Sequence, residues 1–125
     1  MHLLTALVLR NPGPLFKLSV IGVQGIFVSV FSIAYIISPR FCHRFVGYLE
    51  EEAVKTYTHC LECIDKGDLK MWAQMPAPPI AKEYWKLSDN AMMRDVISVI
   101  RADEAHHRLV NHTLSSVKQS KQNPF

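Results

Sequence analysis

A chain of 125 residues, 49% hydrophobic and 20% charged, is the size of one domain and apolar for that size. Its net charge of +3 is scattered apart from Lys118 and Lys121 near the end, and no basic patch interleaved with aromatics stands out, which argues against nucleic acid as a partner. The cysteines, Cys42, Cys60 and Cys63, do not make a disulfide framework; Cys60-Leu-Glu-Cys63 lacks the second pair that zinc needs and sits inside a helical pattern, so all of them read as buried, reduced thiols.

The chain opens on Met1-His2-Leu3-Leu4-Thr5 without a presequence or a cap, as if in the middle of a helix. Asn11-Pro12-Gly13-Pro14 ends that apolar stretch. Leu18 to Pro39 comes next, 22 residues without a charge between Lys17 and Arg40, roughly 30 Å as a helix and enough to span a bilayer core. Ser38-Pro39 breaks it, and a second helix runs from Phe41 to about Lys66, stopping at Gly67 with Asp68 placed to cap the next segment. Met75-Pro76-Ala77-Pro78-Pro79 is a loop, Ile80 to Lys86 a short helix, and Asn90 to Val117 the last long helix, with Ser88 or Asp89 as its cap. Residues 118–125 form a polar, frayed tail. The expected fold class is all-α.

Chemistry concentrates on the second and last long helices. Glu104 and His107 lie three apart, so they project from one face, one above the other. That face continues through Met93, Ile97, Ile100, Val110, Asn111 and Leu114 as the stripe expected to be buried. A carboxylate on a buried stripe needs a partner, because an unpaired buried charge costs several kcal/mol. Glu-x-x-His is the unit that carboxylate-bridged di-iron bundles use twice, together with a lone Glu from each of two other helices. In Glu50-Glu51-Glu52 only one carboxylate can face inward, and the stripe Val46, Val54, Tyr57, Leu61 and Ile64 selects Glu50. His43 and Tyr57 lie on the same face seven residues either side of it. Each segment alone also reads as a solvated face, with Lys55 and Arg44 pairing the Glu run and Arg101 and Arg108 flanking the other. The two together favour a metal, and mixed oxygen and imidazole donors without thiolate suit non-haem iron or manganese.

At this point a family resemblance becomes specific. The runs Leu49-Glu50-Glu51-Glu52-Ala53-Val54-Lys55-Thr56-Tyr57 and Arg101-Ala102-Asp103-Glu104-Ala105-His106-His107 resemble the motifs of the alternative oxidases. The spacing between them, the loop Pro76 to Ala81, Tyr84-Trp85, Ser38-Pro39 and His43-Arg44 are similar too. The resemblance implies a ferritin-like di-iron four-helix bundle and a ubiquinol oxidase that reduces O2 to water without pumping protons, insensitive to cyanide. It implies two irons per intact site, a homodimer, and a place on the matrix side of the mitochondrial inner membrane. Met1-His2-Leu3 resembles the end of the family's Asn-Glu-Arg-Met-His-Leu motif. The resemblance therefore makes His2, Glu50, Glu104 and His107 metal ligands and leaves two glutamates of the set outside this sequence. On this reading residues 1–125 are the C-terminal portion of a single di-iron domain, an incomplete bundle whose upstream helices are missing, and the chain alone has negligible quinol oxidase activity. Tyr57 matches the family's tyrosine near the metals, while Leu49, Glu52, Ala53 and Thr56 match positions lining the quinol pocket. His43, Asp103 and Trp85 are candidates for orienting the ligands.

The long apolar helix is expected to lie in the membrane surface rather than cross it. His2 precedes it and the other ligands come after it, so a single crossing would strand His2 on the far side, and no second uncharged stretch of that length exists. The alternative from another class is a non-catalytic helical membrane-associated protein whose Glu and His residues are merely solvated or paired. A different di-iron bundle protein would share the ligand pattern but not the Leu49–Tyr57 run.

Overall fold

The computed structural model describes residues 13–117, so His2 and the tail 118–125 lie outside the described residues. These residues divide into two units after Pro39. All elements among them are helical: α1 Pro14–Ile37, α2 Pro39–Lys66, α3 Lys70–Ala73, α4 Pro79–Trp85 and α5 Met93–Ser116. The all-α expectation holds.

Helix α1 starts earlier than the uncharged stretch and includes Lys17, because Pro14 occupies its first position, where a proline's fixed φ suits the helix. It ends at Ile37, and the capping Ser38 donates its N–H to the Ala34 carbonyl at 2.8 Å. Its apolar side chains are exposed on every side, and it is long and apolar enough to cross a membrane. The Ser19 and Ser29 hydroxyls bond back to the Phe16 and Gly25 carbonyls, each at 2.8 Å. Such self-satisfied hydroxyls suit an apolar medium, where an unpaired polar group is costly.

In the second unit α2 and α5 form an antiparallel pair, legible in the order of their contacts. Arg40 at the start of α2 donates through Nε to the Ser115 carbonyl at the end of α5, a cation placed on unpaired C-terminal carbonyls. Gly47 faces His112, Leu61 and Ile64 pack on Ile97, and Asp65 meets Arg94. Gly47 is buried because a Cβ there would lie 3.1 Å from the His112 ring; the missing side chain makes the close approach possible. Cys42 and Ser115 are buried near the same end of the pair. Helix α2 stops at Gly67, at φ +85°, with Gly67 N–H on the Ile64 carbonyl and Asp68 N–H on that of Cys63. This pair of bonds is the Schellman arrangement that glycine favours.

Two small apolar clusters meet on α5. Leu61, Ile64 and Ile97 form one; Ala77, Ala81, Ala91 and Val96 form the other, and Met93 packs against both. Several expectations shift. Asp68 does not cap α3, whose N-cap position is Leu69. Helix α5 begins at Met93, not near Asn90, because residues 91–93 are drawn into an extended pairing with 75–77. Met93 N–H bonds the Met75 carbonyl at 2.8 Å and Ala77 N–H that of Ala91 at 2.9 Å. Asp95, rather than Ser88 or Asp89, takes the free Met92 N–H at 2.9 Å. All the cysteines are free, but only Cys42 is buried; Cys60 and Cys63 are half-buried, since neighbours cover only one side of that end of α2.

Arg94 grips Asp65 with both ends of its guanidinium, at 2.6 and 2.8 Å, and holds that carboxyl below its ordinary value of 3.8. A lowered carboxyl value stabilises the fold above about pH 3.8, and that contribution is lost as pH falls through the lowered value. Thermal melts of Asp65→Asn and the native chain should therefore differ near pH 7 and converge as pH falls below the lowered value. Both groups are half-exposed, so salt should also shrink the difference. A gap that persists in strong acid would mean the staple acts by packing rather than charge.

Candidate metal centre

Glu50 projects from the middle of α2, and Glu104 and His107 from successive positions on one face of α5. One ligand atom from each lies within 4.8 Å of the others, the group of this kind found among the described residues. Donors bonded at about 2.0–2.2 Å to one ion stand no more than roughly 4.4 Å apart, so holding a single ion would take only a small side-chain rotation. Glu104 is well enclosed, its side chain 14% exposed, and lies 3.9 Å from the His107 imidazole, which is 51% exposed. Glu50 is half-buried, and its Oε2 accepts a bond from Asn111 Nδ2 at 3.0 Å.

Cations near the Glu run are directed elsewhere. Lys55 lies 2.7 Å from Glu52 and 3.6 Å from Glu51, while His112 lies 3.7 Å from Glu51. The solvated-face reading thus holds for Glu52 and partly for Glu51, with Lys55 as the cation and not Arg44. Glu50 turns away from both. Among the described residues no lysine or arginine forms an ion pair with Glu50 or Glu104; two such carboxylates brought together repel each other, and a bound cation relieves the repulsion. The donor set, two carboxylates and an imidazole, fits iron or manganese by type.

Tyr57 comes seven residues after Glu50 along α2 and packs against the Leu61–Ile64–Ile97 cluster. Burial, then the charge of Glu104, then Cys60 push its hydroxyl above the ordinary 10.0, so it stays protonated well into the alkaline range. His43 reaches the site through Asn111, with its Nδ1 2.8 Å from Asn111 Oδ1. Trp85 on α4 donates its indole N–H to Asp103 Oδ2 at 2.8 Å, tying α4 to α5 beside Glu104. Leu49, Glu52, Ala53 and Thr56 share a face of α2 at helical spacing. Leu49, Glu52 and Thr56 are exposed and Ala53 is half-buried, and the Thr56 hydroxyl bonds the Glu52 carbonyl at 2.9 Å.

Two features were not anticipated from the sequence. Asn111, placed on the buried stripe as a spectator, is the hydrogen-bond partner of Glu50. His112 stacks edge-on against Tyr48, with ring centroids 5.3 Å apart, and covers Gly47. The spacing of Asn111, four residues after His107, was the available signal for the first.

Comparison with known proteins points the same way as the geometry. The family model described as alternative oxidase matches residues 1–116. The chain is 52% identical to a protein named alternative oxidase, mitochondrial, from Emericella nidulans, covering all of this chain and 36% of that one. It is 53% identical to the protein of that name from Yarrowia lipolytica, again over all of this chain and 36% of the other. Against that of Trypanosoma brucei brucei it is 51% identical, over all of this chain and 39% of the other. The chain thus spans a little over a third of the length of these curated relatives. With a lone Glu and a Glu-x-x-His brought together on an antiparallel helix pair, and a family match over nearly its whole length, the chain belongs to the alternative oxidase family.

Proposed function

We propose that this chain forms part of a ubiquinol oxidase that reduces O2 to water at a di-iron centre, without pumping protons and insensitive to cyanide. The observation that carries the reading is the convergence of Glu50, Glu104 and His107. Balance requires two quinols per O2, yielding two quinones and two waters. Bound iron supplies the one-electron steps that link a two-electron donor to O2.

The chain's own residues have separable tasks. Glu50, Glu104 and His107 hold the metal. Tyr57 keeps its proton beside Glu104 and is placed to give up an electron and a proton to the site. Leu49, Glu52, Ala53 and Thr56 offer one continuous face to the quinol. Trp85 fixes Asp103, and through it the rotation of α5 at Glu104. A carboxylate-bridged bundle uses a lone Glu from each of two helices and a Glu-x-x-His from each of two more. The described residues carry one of each, half that set, so turnover needs donors beyond them. His2 is the candidate within the chain; it lies outside the described residues, and its assignment rests on the motif alone. Residues 1–125 are then a portion of one such domain, and alone they bind iron with negligible quinol oxidation.

The names of these relatives place those proteins in mitochondria, and for this chain the reading is the inner membrane, matrix side. Helix α1 would rest in one leaflet, where a lipid-soluble quinol is met, in a homodimer of the intact protein. Anaerobic loading with ferrous iron and metal analysis test the reading. Stoichiometric iron lost in Glu104→Ala supports it; none in the unaltered chain favours a non-catalytic membrane-associated protein.

A further inference from the structure

Glu50 is the ligand candidate with one carboxylate oxygen already engaged. Asn111, one turn beyond His107 on α5, donates from Nδ2 to Glu50 Oε2 at 3.0 Å and to the His107 carbonyl at 3.1 Å. Both of those partners only accept, so the amide's NH2 end must face them and its orientation is settled. Its Oδ1 then lies against His43 Nδ1 at 2.8 Å. An amide oxygen only accepts, so His43 carries a proton on Nδ1. The bonds run from His43 on α2 to Asn111 on α5 and back to Glu50 on α2.

The chemistry of this relay suits a ligand being held for a cation. An amide donates without bringing positive charge, so it orients the carboxylate and leaves its charge to attract a metal. A lysine or arginine in that place would compete with the metal for the same charge. Glu50 Oε1 has no hydrogen-bond partner among the described residues. The second Nδ2 bond, to the backbone of His107, ties the orientation of Glu50 to the helix turn that carries another ligand candidate.

We propose that Asn111 is a positioning residue that holds Glu50 by Oε2 and presents Oε1 to the metal, with His43 fixing the amide. The proposal rests on the metal-ligand reading of Glu50, Glu104 and His107. Cobalt(II) titration of the whole chain in detergent, followed by its visible d–d absorption, tests it. Asn111→Ala should weaken binding about tenfold and shift the d–d band as the freed carboxylate rotates. His43→Ala should cost about threefold, and the double variant no more than Asn111→Ala alone, since His43 acts through Asn111. His43→Gln, which keeps a side-chain N–H donor, should recover native affinity and band position. Native affinity and an unchanged band in Asn111→Ala overturn the proposal, as do independent, additive losses in the double variant. Should Asn111→Ala lose helix content by circular dichroism, the two His43 variants decide, and identical affinities and bands in them overturn it. No cobalt binding by the unaltered chain overturns the metal reading and this inference together.

Discussion

Replacing Glu104 with Ala is expected to lower ferrous-iron affinity by about 100-fold or more, a larger loss than the 10–100-fold typical when an outer partner of a ligand is removed. Of the two α5 donor candidates Glu104 is much the less exposed, its side chain 14% accessible against 51% for His107. Charge interactions strengthen as water is excluded, so Glu104→Ala should cost more than His107→Ala. Glu51→Ala and Glu52→Ala serve as controls, because their carboxylates are committed to Lys55 and His112. The metal-free form should respond differently. Removing one of two adjacent carboxylates relieves repulsion, so Glu104→Ala without metal should melt no lower than the native chain. Metal at about 100 times its dissociation constant adds roughly 2.7 kcal/mol to a fold that alone binds it. Ferrous iron should therefore raise the melting temperature of the native chain and move that of Glu104→Ala only slightly. Equal iron shifts in both would remove Glu104 from the ligand set.

How far this site was legible in the sequence depends on which residues a position can reach. The choice of Glu50 among three consecutive carboxylates came from helix geometry alone. An apolar stripe fixes which side faces inward, and neighbours in sequence point about 100° apart. The stop at Gly67 was legible for a similar reason, since a positive φ leaves glycine as the unstrained choice. The start of α5 was not. Ser88 and Asp89 have the right chemistry for a cap, but residues 91–93 pair with 75–77, a contact between segments that no local pattern encodes. Asn111 was visible on its stripe, yet its partner sits on another helix and depends on the register of α2 against α5. That register is set by the Gly47–His112 approach and the clasps at either end, Arg40 on Ser115 and Arg94 on Asp65. Glu51 shows the same limit, because it reaches His112 as well as Lys55.

The largest loss of stability should come from Ile97→Ala. Ile97 closes the apolar cluster with Leu61 and Ile64 and is 6% exposed. Truncating a buried isoleucine to alanine removes its transfer energy and leaves a cavity, together about 2–5 kcal/mol. Here the lower half of that range is expected. The cluster is ringed by Met93, Tyr57, Cys60, Leu69 and Trp72, all partly exposed, and an unbranched methionine can settle into part of the gap. About 2–3 kcal/mol is still a large share of the 5–15 kcal/mol typical of a whole domain. Ile97→Val should cost about 0.5–1.5 kcal/mol. Ile97 also lies seven residues before Glu104, two turns along the same face of α5. The candidate metal donors, however, are also held in register by contacts toward the opposite end of the pair, Asn111 on Glu50 and Arg40 on Ser115. Ile97→Ala should accordingly unfold at lower denaturant with an unchanged slope, while metal affinity in the folded chain moves less than about threefold. A parallel fall in affinity would place the register of the site in the apolar cluster rather than in the polar contacts around Glu50.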